Sequence, residues 1–578
     1  MIDYAAFRGR SAIMITICIG LAGCTWGSDS AKKLELGVDP ATGPIADSVA
    51  YRDTIGAYTY YDGLRPMRVR GYGLVAGLGK NGSRDCPRRV RERLIQTMYK
   101  QHRFSSTVVG EEHITPEQLI DDVSTAVVVV TAEIPPAAVK GKRFDVAVAA
   151  LPGTQTKSLR GGRLYTTALE VYRPVSSTVS ITGQVLATAA GPVFQNPFSE
   201  PDAPTRSNPL EGVIAGGGQA AKDRRIRLVL AEPSYQKATQ IQNRINAHFP
   251  GSIKIADARS PSFVRLRIPG EYCDDTGHFL ALVRGLYLSR DPQFAATRAR
   301  LLAEEIIRPT APHNLIAVAF EGLGRDALSE LTTLYTHPKD HVTFHAAAAG
   351  LRLGDHLAAD VMVAHAQKPG DFRFQAIRAL GRAGGIASAA IALRKLLDDP
   401  DPRVQIAAYE ALINRGDSAI TSTPIADDNF ILDEVPVTGE NFVYAKRSGA
   451  RRIALFGKNL RCIPPLLYRA VDGSVTINAY DGDDSLTLMR TNTATGSTSP
   501  PIVAPLDLAA LVRLMGGDVS IDLDGAVLGL GLDYSAVVAA LYDLCQEGFT
   551  NAKFILEQPN VEELFGLPQQ EGRPESEL

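Results

Sequence analysis

The sequence has little of what most often announces chemistry. Its six cysteines are scattered through 578 residues, and none falls in the local C-x₂₋₄-C pairs that structural zinc sites prefer. An excess of either charge is missing: 61 Lys and Arg stand against 63 Asp and Glu, a formal net charge of −2. That balance excludes a bulk electrostatic pull toward nucleic acid or anionic lipid, so no nucleic-acid partner is expected. After Cys24 no apolar run approaches the ~20 residues needed to cross a bilayer core. Hydrolase signatures are absent too, with no G-x-S-x-G, no H-E-x-x-H and no Cys–His pairing in a supporting local context. Asp481-Gly-Asp-Asp484 begins like a calcium loop, but the EF-hand frame needs Gly where Leu486 stands, so an acidic surface turn is expected. His337, His341 and His345 share a helical spacing, yet Pro338 biases His337 out of the helix. The H-x-x-x-H pair that remains needs further ligands from elsewhere to hold zinc, and solvated histidines on a helix are the expectation. No enzyme reading survives, and no cofactor or metal is expected.

Glycine is where the sequence is distinctive. The run RGYGLVAGLGKNGSRDC, from Arg70 to Cys86, packs five glycines around one Lys and one Ser. A Walker loop needs G-x-x-x-x-G-K-[ST], but Asn81 follows Gly79-Lys80 and Leu74 occupies the place of the upstream glycine. The dinucleotide fingerprint G-x-G-x-x-G fails by one residue, because Gly77 follows Gly71-x-Gly73 one position late. Both nucleotide readings therefore fail. A short strand from Tyr72 to Leu78, with glycines permitting close backbone approach and a turn behind it, is expected.

The first residues read as an export signal. Arg8 and Arg10 precede the apolar run Ala12–Ala22, which is too short for a membrane helix and ends in small residues. Leu21-Ala22-Gly23-Cys24 resembles a bacterial lipobox, with cleavage before Cys24 and lipid on its thiol; a plain secretory signal with an incidental Cys is the alternative. With Cys18 removed and Cys24 lipidated, Cys86, Cys273, Cys462 and Cys545 remain. They can form two disulfides in an oxidising compartment or stay as buried thiols.

Composition divides the rest into an α+β, multidomain chain. Residues 1–23 read as the signal peptide and 24–62 as a polar tether. Residues 63–304 are rich in strand signals: the β-branched run Ala126–Thr131, then Phe144–Ala150, and the alternating Arg225–Leu230 and Phe263–Ile268. Between the last two, Ala238, Ile241 and Ile245 make one helical stripe that Ser234 would cap, and residues 92–103 are a second helix candidate. Residues 305–418 become Ala- and Leu-rich, and three similar segments place Pro338, Pro369 and Pro402 31 and 33 residues apart. A fainter copy starts at Pro312. Such a period means stacked helix pairs, and DPDPRVQIAAYEAL, from Asp399, resembles a HEAT-type repeat, a surface for an unknown protein partner. Residues 419–440 read as a linker, 441–560 as a smaller C-terminal α/β region and 561–578 as a disordered tail.

Several segments converge on one family. MRVRGYGLVAGLGKNGS resembles the start of bacterial flagellar P-ring proteins, where an arginine-bearing strand leads into G-Y-G-L-V-x-G-L and a glycine-rich turn. Val127–Leu169 carries the paired prolines, the G-x-x-F/I-D-V-x-V strand and the S-L-x-G-G turn of Ser158, Leu159, Arg160, Gly161 and Gly162. RRIRLVLAEPSYQKATQIQNRIN and ADARSPSFVRLRIP follow in the same order. The resemblance implies a homo-oligomeric periplasmic ring around the flagellar rod, next to the outer-membrane ring and the cell wall, serving motility. It makes Gly71, Tyr72, Gly73, Gly77, Ser158, Leu159, Gly161 and Gly162 structural or interface positions with no ligand. The lipobox, placing the protein at the outer membrane through lipid on Cys24, and the helical block lie outside the family plan. A lipid-anchored interaction scaffold with no flagellar role is the alternative reading.

Overall fold

The computed structural model describes residues 51–101, 115–171, 184–195, 208–426, 429–470, 473–491, 497–520 and 529–557. The expected signal peptide, Cys24 and the expected tail lie outside these residues. Among the described residues no helix is long and apolar enough to cross a membrane.

The chain enters through helix α1 (Ile55–Tyr58) and strand β1 (Thr59–Asp62), so the tether expected to reach residue 62 ends earlier. β1 pairs antiparallel with a later strand, and that pairing fixes it in a sheet. Next come β2 (Met67–Ala76), α2 (Arg88–Gln101), α3 (Pro116–Ile120), β3 (Ala126–Ile134), β4 (Arg143–Ala150), β5 (Arg163–Val171), β6 (Val185–Pro192) and β7 (Glu211–Ala220). The six strands β2 to β7 close into a barrel in the order β2-β3-β4-β7-β6-β5. β2 is longer than the expected Tyr72–Leu78 strand because it pairs along its length with β3, from Met67↔Ile134 to Val75↔Ala126. The valine run of β3 is buried on both faces: Val128 and Val130 fill the barrel, while Val127 packs with Leu74, Leu94, Leu119 and Ile120 under α2 and α3. Double burial is what a continuous β-branched run encodes.

β8 (Ile226–Leu230), α4 (Tyr235–His248), β9 (Ala256–Ser260), β10 (Phe263–Leu266) and α5 (Thr276–Gly285) complete an antiparallel sheet of order β1-β8-β10-β9. α4 buries Ala238, Ile241 and Ile245, and the Ser234 side chain accepts from the Lys237 N–H. The predicted stripe and cap are therefore both present.

Helices follow: α6 (Pro292–Ile306), α7 (His313–Leu323), α8 (Leu328–Leu334), α9 (Asp340–Arg352), α10 (His356–Gln367), α11 (Arg373–Arg382), α12 (Ala387–Leu396) and α13 (Pro402–Arg415). The boundary read at 304/305 falls inside α6, whose apolar face continues to the buried Ile306. The similar segments are α7, α9, α11 and α13, which pack in line, with α8, α10 and α12 between them.

The expected linker at 419–440 contains β11 (Thr421–Ile425) and β12 (Phe430–Val435). They join β13 (Phe442–Ala445), β14 (Arg452–Phe456) and, from the end of the described chain, β19 (Lys553–Leu556) in a mixed sheet, β11-β12-β14-β13-β19. Between them lie β15 (Leu466–Arg469), β16 (Val475–Ala479), β17 (Ser485–Arg490) and β18 (Ile502–Pro505), an antiparallel sheet in chain order, then α14 (Leu508–Gly516) and α15 (Tyr534–Gln546). One face of the mixed sheet sends Val435, Phe442, Tyr444 and Phe456 into the core of the helical stack, and the other sends Leu432, Val443 and Leu455 toward α14 and α15. Polar spacing hid these strands because one carries a buried charge: Asp433 is 0% exposed and accepts from Arg452, Tyr409 and Ser422.

Candidate functional site at the barrel seam

The barrel closes where β2 meets β5. Arg70 pairs with Glu170 and Val75 with Leu164, so β5 uses one residue more than β2 across this stretch and the register shifts there. Gly71, Tyr72 and Gly73 stand in it. A Cβ on Gly71 would lie 2.3 Å from the Ala168 carbonyl oxygen, and one on Gly73 would lie 2.4 Å from Thr167 Oγ1. The seam can close only where two residues have no side chain. Tyr72 turns outward into the small core beneath α2 and α3. α2 is tied to the same seam from outside, since Arg93 Nη2 donates to Glu170 Oε2 at 2.6 Å. That helix, Arg88–Gln101, starts before the expected 92, its first turn following Pro87, whose carbonyl accepts from Val90 and Arg91; residues 102 and 103 of the expected helix lie outside the described residues.

The second motif meets the first at one end of the barrel. Gly77 (φ +82°) and Gly161 (φ +70°) turn the chain in the left-handed region. A Cβ on Gly162 would lie 2.4 Å from Val75 Cγ1. Leu159 is fully buried and its N–H donates to the Pro209 carbonyl at 2.8 Å, while Ser158 Oγ accepts from the Arg160 N–H. Three amides of the glycine-rich run are occupied: Leu78 N–H donates to Ser124 O, Asn81 N–H to Leu78 O and Ser83 N–H to Thr125 O. A phosphate cradle needs such groups converging on open space. Here they secure the turn to the loop before β3.

The other candidate residues fall elsewhere. Asp481 to Asp484 form an exposed turn in which the Tyr480 N–H donates to Asp483 Oδ2 at 2.7 Å. Cys86, Cys273, Cys462 and Cys545 are free thiols, and burial pushes that of Cys462 up to about 12. The histidines are not all solvated as expected. His345 is 8% exposed and stacks on His313 of α7 with ring centroids 5.4 Å apart, and His341 lies 4.7 Å from the same ring. Burial first, and then the neighbouring imidazoles, pull the pKa of His345 down to about 3. Among the described residues no group of three or more His, Cys, Asp or Glu is arranged to hold a metal.

Two junction residues escaped sequence reasoning. Arg224 donates to the carbonyls of Ile134, Pro135, Gly63 and Arg65, joining the barrel to the neighbouring sheet. Nothing local marks it, because its four acceptors are backbone atoms far along the chain. Asp145 accepts from the N–H groups of Gly216 at 2.6 Å and Gly449 at 3.0 Å, and so ties the barrel to the loop between β13 and β14. Its signal was present, as the Asp of the F-D-V strand.

Residues 55–297 match the family model described as flagellar P-ring protein. The flagellar P-ring protein of Geotalea uraniireducens is 28% identical over 242 residues, 40% of this chain and 60% of that relative. That of Caulobacter vibrioides is 30% identical over 239 residues, 39% of this chain and 58% of the relative. That of Thermotoga maritima is 28% identical over 261 residues, covering 43% and 70% respectively. The chain thus spans about three-fifths of the length of the first of these relatives. The matched stretch runs from α1, through the barrel with its glycine seam and the β1-β8-β10-β9 sheet, into α6. Over residues 55–297 the chain is similar to the flagellar P-ring proteins.

Proposed function

We propose that the protein is a structural subunit of a flagellar basal-body P-ring, or of an envelope ring of the same kind, surrounding the rod in the periplasm and serving motility. The observation that carries this reading is that the family match covers whole folded units, the closed barrel and its partner sheet, rather than a fragment of either. A ring subunit works through shape and interfaces, and the seam glycines serve that end by fixing backbone approach. On this reading Gly71, Tyr72, Gly73, Gly77, Ser158, Leu159, Gly161 and Gly162 set the subunit core or its interface with the next copy. The protein is not an enzyme and takes no cofactor. Its partners are further copies of itself, the rod, the outer-membrane ring and the cell wall. Cys24 carries lipid and tethers the chain to the outer membrane, and the stacked helices α7 to α13 form a HEAT-like surface for an additional protein.

Isolating intact hook–basal bodies from the host and probing them for this chain tests the reading. Stoichiometric recovery with the rod and rings supports it. Normal basal bodies lacking the chain would sink it in favour of a scaffold outside the flagellum. The anchor is tested separately by Cys24→Ser, which should release the protein from the membrane pellet into the soluble periplasm; unchanged pelleting would refute lipid as the tether.

A further inference from the structure

A pocket of about 290 Å³ lies between α4, the loop that follows α5 and the C-terminal end of α7, with Arg244, His248, Ser289, Arg290 and Asp326 in its lining. Arg244 is locked in place: its Nε donates to the Tyr287 carbonyl at 2.6 Å and its Nη2 to the Gly322 carbonyl at 3.1 Å. Both acceptors are neutral backbone oxygens, so the guanidinium has fixed geometry and no counter-charge. Its Nη1 donates to no described group. Arg290, on the exposed loop at the mouth, makes no ion pair or hydrogen bond among the described residues. Asp326, the carboxylate of the lining, pairs with neither arginine. Two cations therefore face one hollow whose lining carboxylate, Asp326, is bonded to neither.

We propose that this pocket binds a small phosphate group, held by the forks of Arg244 and Arg290. The planar guanidinium suits a tetrahedral oxyanion because two parallel N–H groups can meet two oxygens. The electrostatics around the pocket agree. Burial, and then the repulsion of Arg290, lower the pKa of Arg244 to about 10, which still leaves it charged at neutral pH. His248 is pulled down to about 4, by burial first and Arg244 second, so it stands as a neutral N–H donor beside the two cations. An anion between the arginines would remove their mutual repulsion. It would also bridge α4 to the loop between α5 and α6. This inference rests on the pocket alone and stands or falls independently of ring assembly.

The test is titration calorimetry of the full chain with inorganic phosphate, against sodium chloride at matched ionic strength. One saturable site per chain is expected, weakened at least tenfold by Arg290→Ala. That side chain is exposed and unpaired, so the variant should keep the unfolding midpoint of the parent in the absence of phosphate. The parent's midpoint should rise with phosphate, as mass action requires of a ligand that binds only the native state, and the rise should be lost in Arg290→Ala. Phosphate should also raise the His248 pKa, read from its imidazole proton resonance. Glycerol 1-phosphate in a parallel titration distinguishes the source: binding of both probes indicates a phosphate ester, and binding of inorganic phosphate alone indicates the free ion. No saturable heat with either probe, or equal binding by parent and Arg290→Ala, would overturn the proposal.

Discussion

The barrel and the junction of the helical stack with the C-terminal sheet solve the same problem, holding distant segments of chain together, by opposite means. At the barrel seam the decisive feature is missing atoms: Gly71 and Gly73 let β2 and β5 approach so closely that any side chain would collide with backbone or with Thr167. At the junction the decisive feature is a buried charge. Asp433 is fully enclosed and gathers Arg452, Tyr409 and Ser422 from β14, α13 and β11. One region breaks when atoms are added and the other when they are removed. The difference follows from the elements involved. Strands closing a barrel meet backbone to backbone, whereas a helix crossing a sheet leaves room that side chains must fill.

The largest effect is expected from Asp433→Ala. It strands Arg452, whose side chain is 18% exposed, without its partner. Breaking a buried pair from one side costs about 3–5 kcal/mol, and urea unfolding should show the loss. If Asp433→Ala unfolds like the parent, the junction is held by apolar packing alone. Next comes Gly71→Ala, whose new methyl would sit 2.3 Å from a carbonyl oxygen that cannot turn aside. Overpacking of this kind costs about 1–3 kcal/mol or slightly more. Proteolysis should then open the barrel while leaving α7 to α13 protected; full retention of stability would mean that the seam has slack.

A third prediction concerns pH and separates the regions by titration. The folded pKa of His345 lies near 3, below the ordinary imidazole value of 6.5. The native state therefore resists the proton that the unfolded chain accepts. His345's stabilising contribution is complete above about pH 6.5, and on acidification it falls by about 2 kcal/mol by pH 5. Hydrogen exchange should show α7 and α9 loosening before the barrel, and His345→Phe should flatten the dependence. An unaltered profile in that variant would remove the cluster as its source. The smallest effect is expected at Arg68, whose exposed pairing with Glu133 at 2.8 Å is open to solvent. Arg68→Ala should move the unfolding midpoint by no more than about 0.5 kcal/mol would. A larger shift would mean that charge matters in the barrel too.

What could be read along the chain was whatever depends on near neighbours. The α4 stripe and its Ser234 cap, the doubly buried valine run of β3 and the recurring helix starts at Pro312, Pro338, Pro369 and Pro402 are all local patterns. The failures share a cause. β11 and β12 looked like a linker because their strand character depends on partners at β14 and α13, and β1 looked like tether because its partner, β8, lies about 170 residues further along. The histidine cluster was half visible: His341 and His345 share a helix, but His313, which completes the stack, comes from the preceding similar segment.

The sequence by itself determined the glycine positions of the barrel, the failure of its glycine-rich run as a phosphate loop, the helical periods and the likeness of residues 55–297 to flagellar P-ring proteins, because each rests on spacing within a short window or on collinear motifs. Only the tertiary structure decided that β2 and β5 close the barrel with a register shift, that Asp433 is enclosed with a cation, and that Arg244 and Arg290 face one pocket. Those are meetings between segments far apart in the chain, and their energies depend on burial and distance, which no local pattern of residues carries.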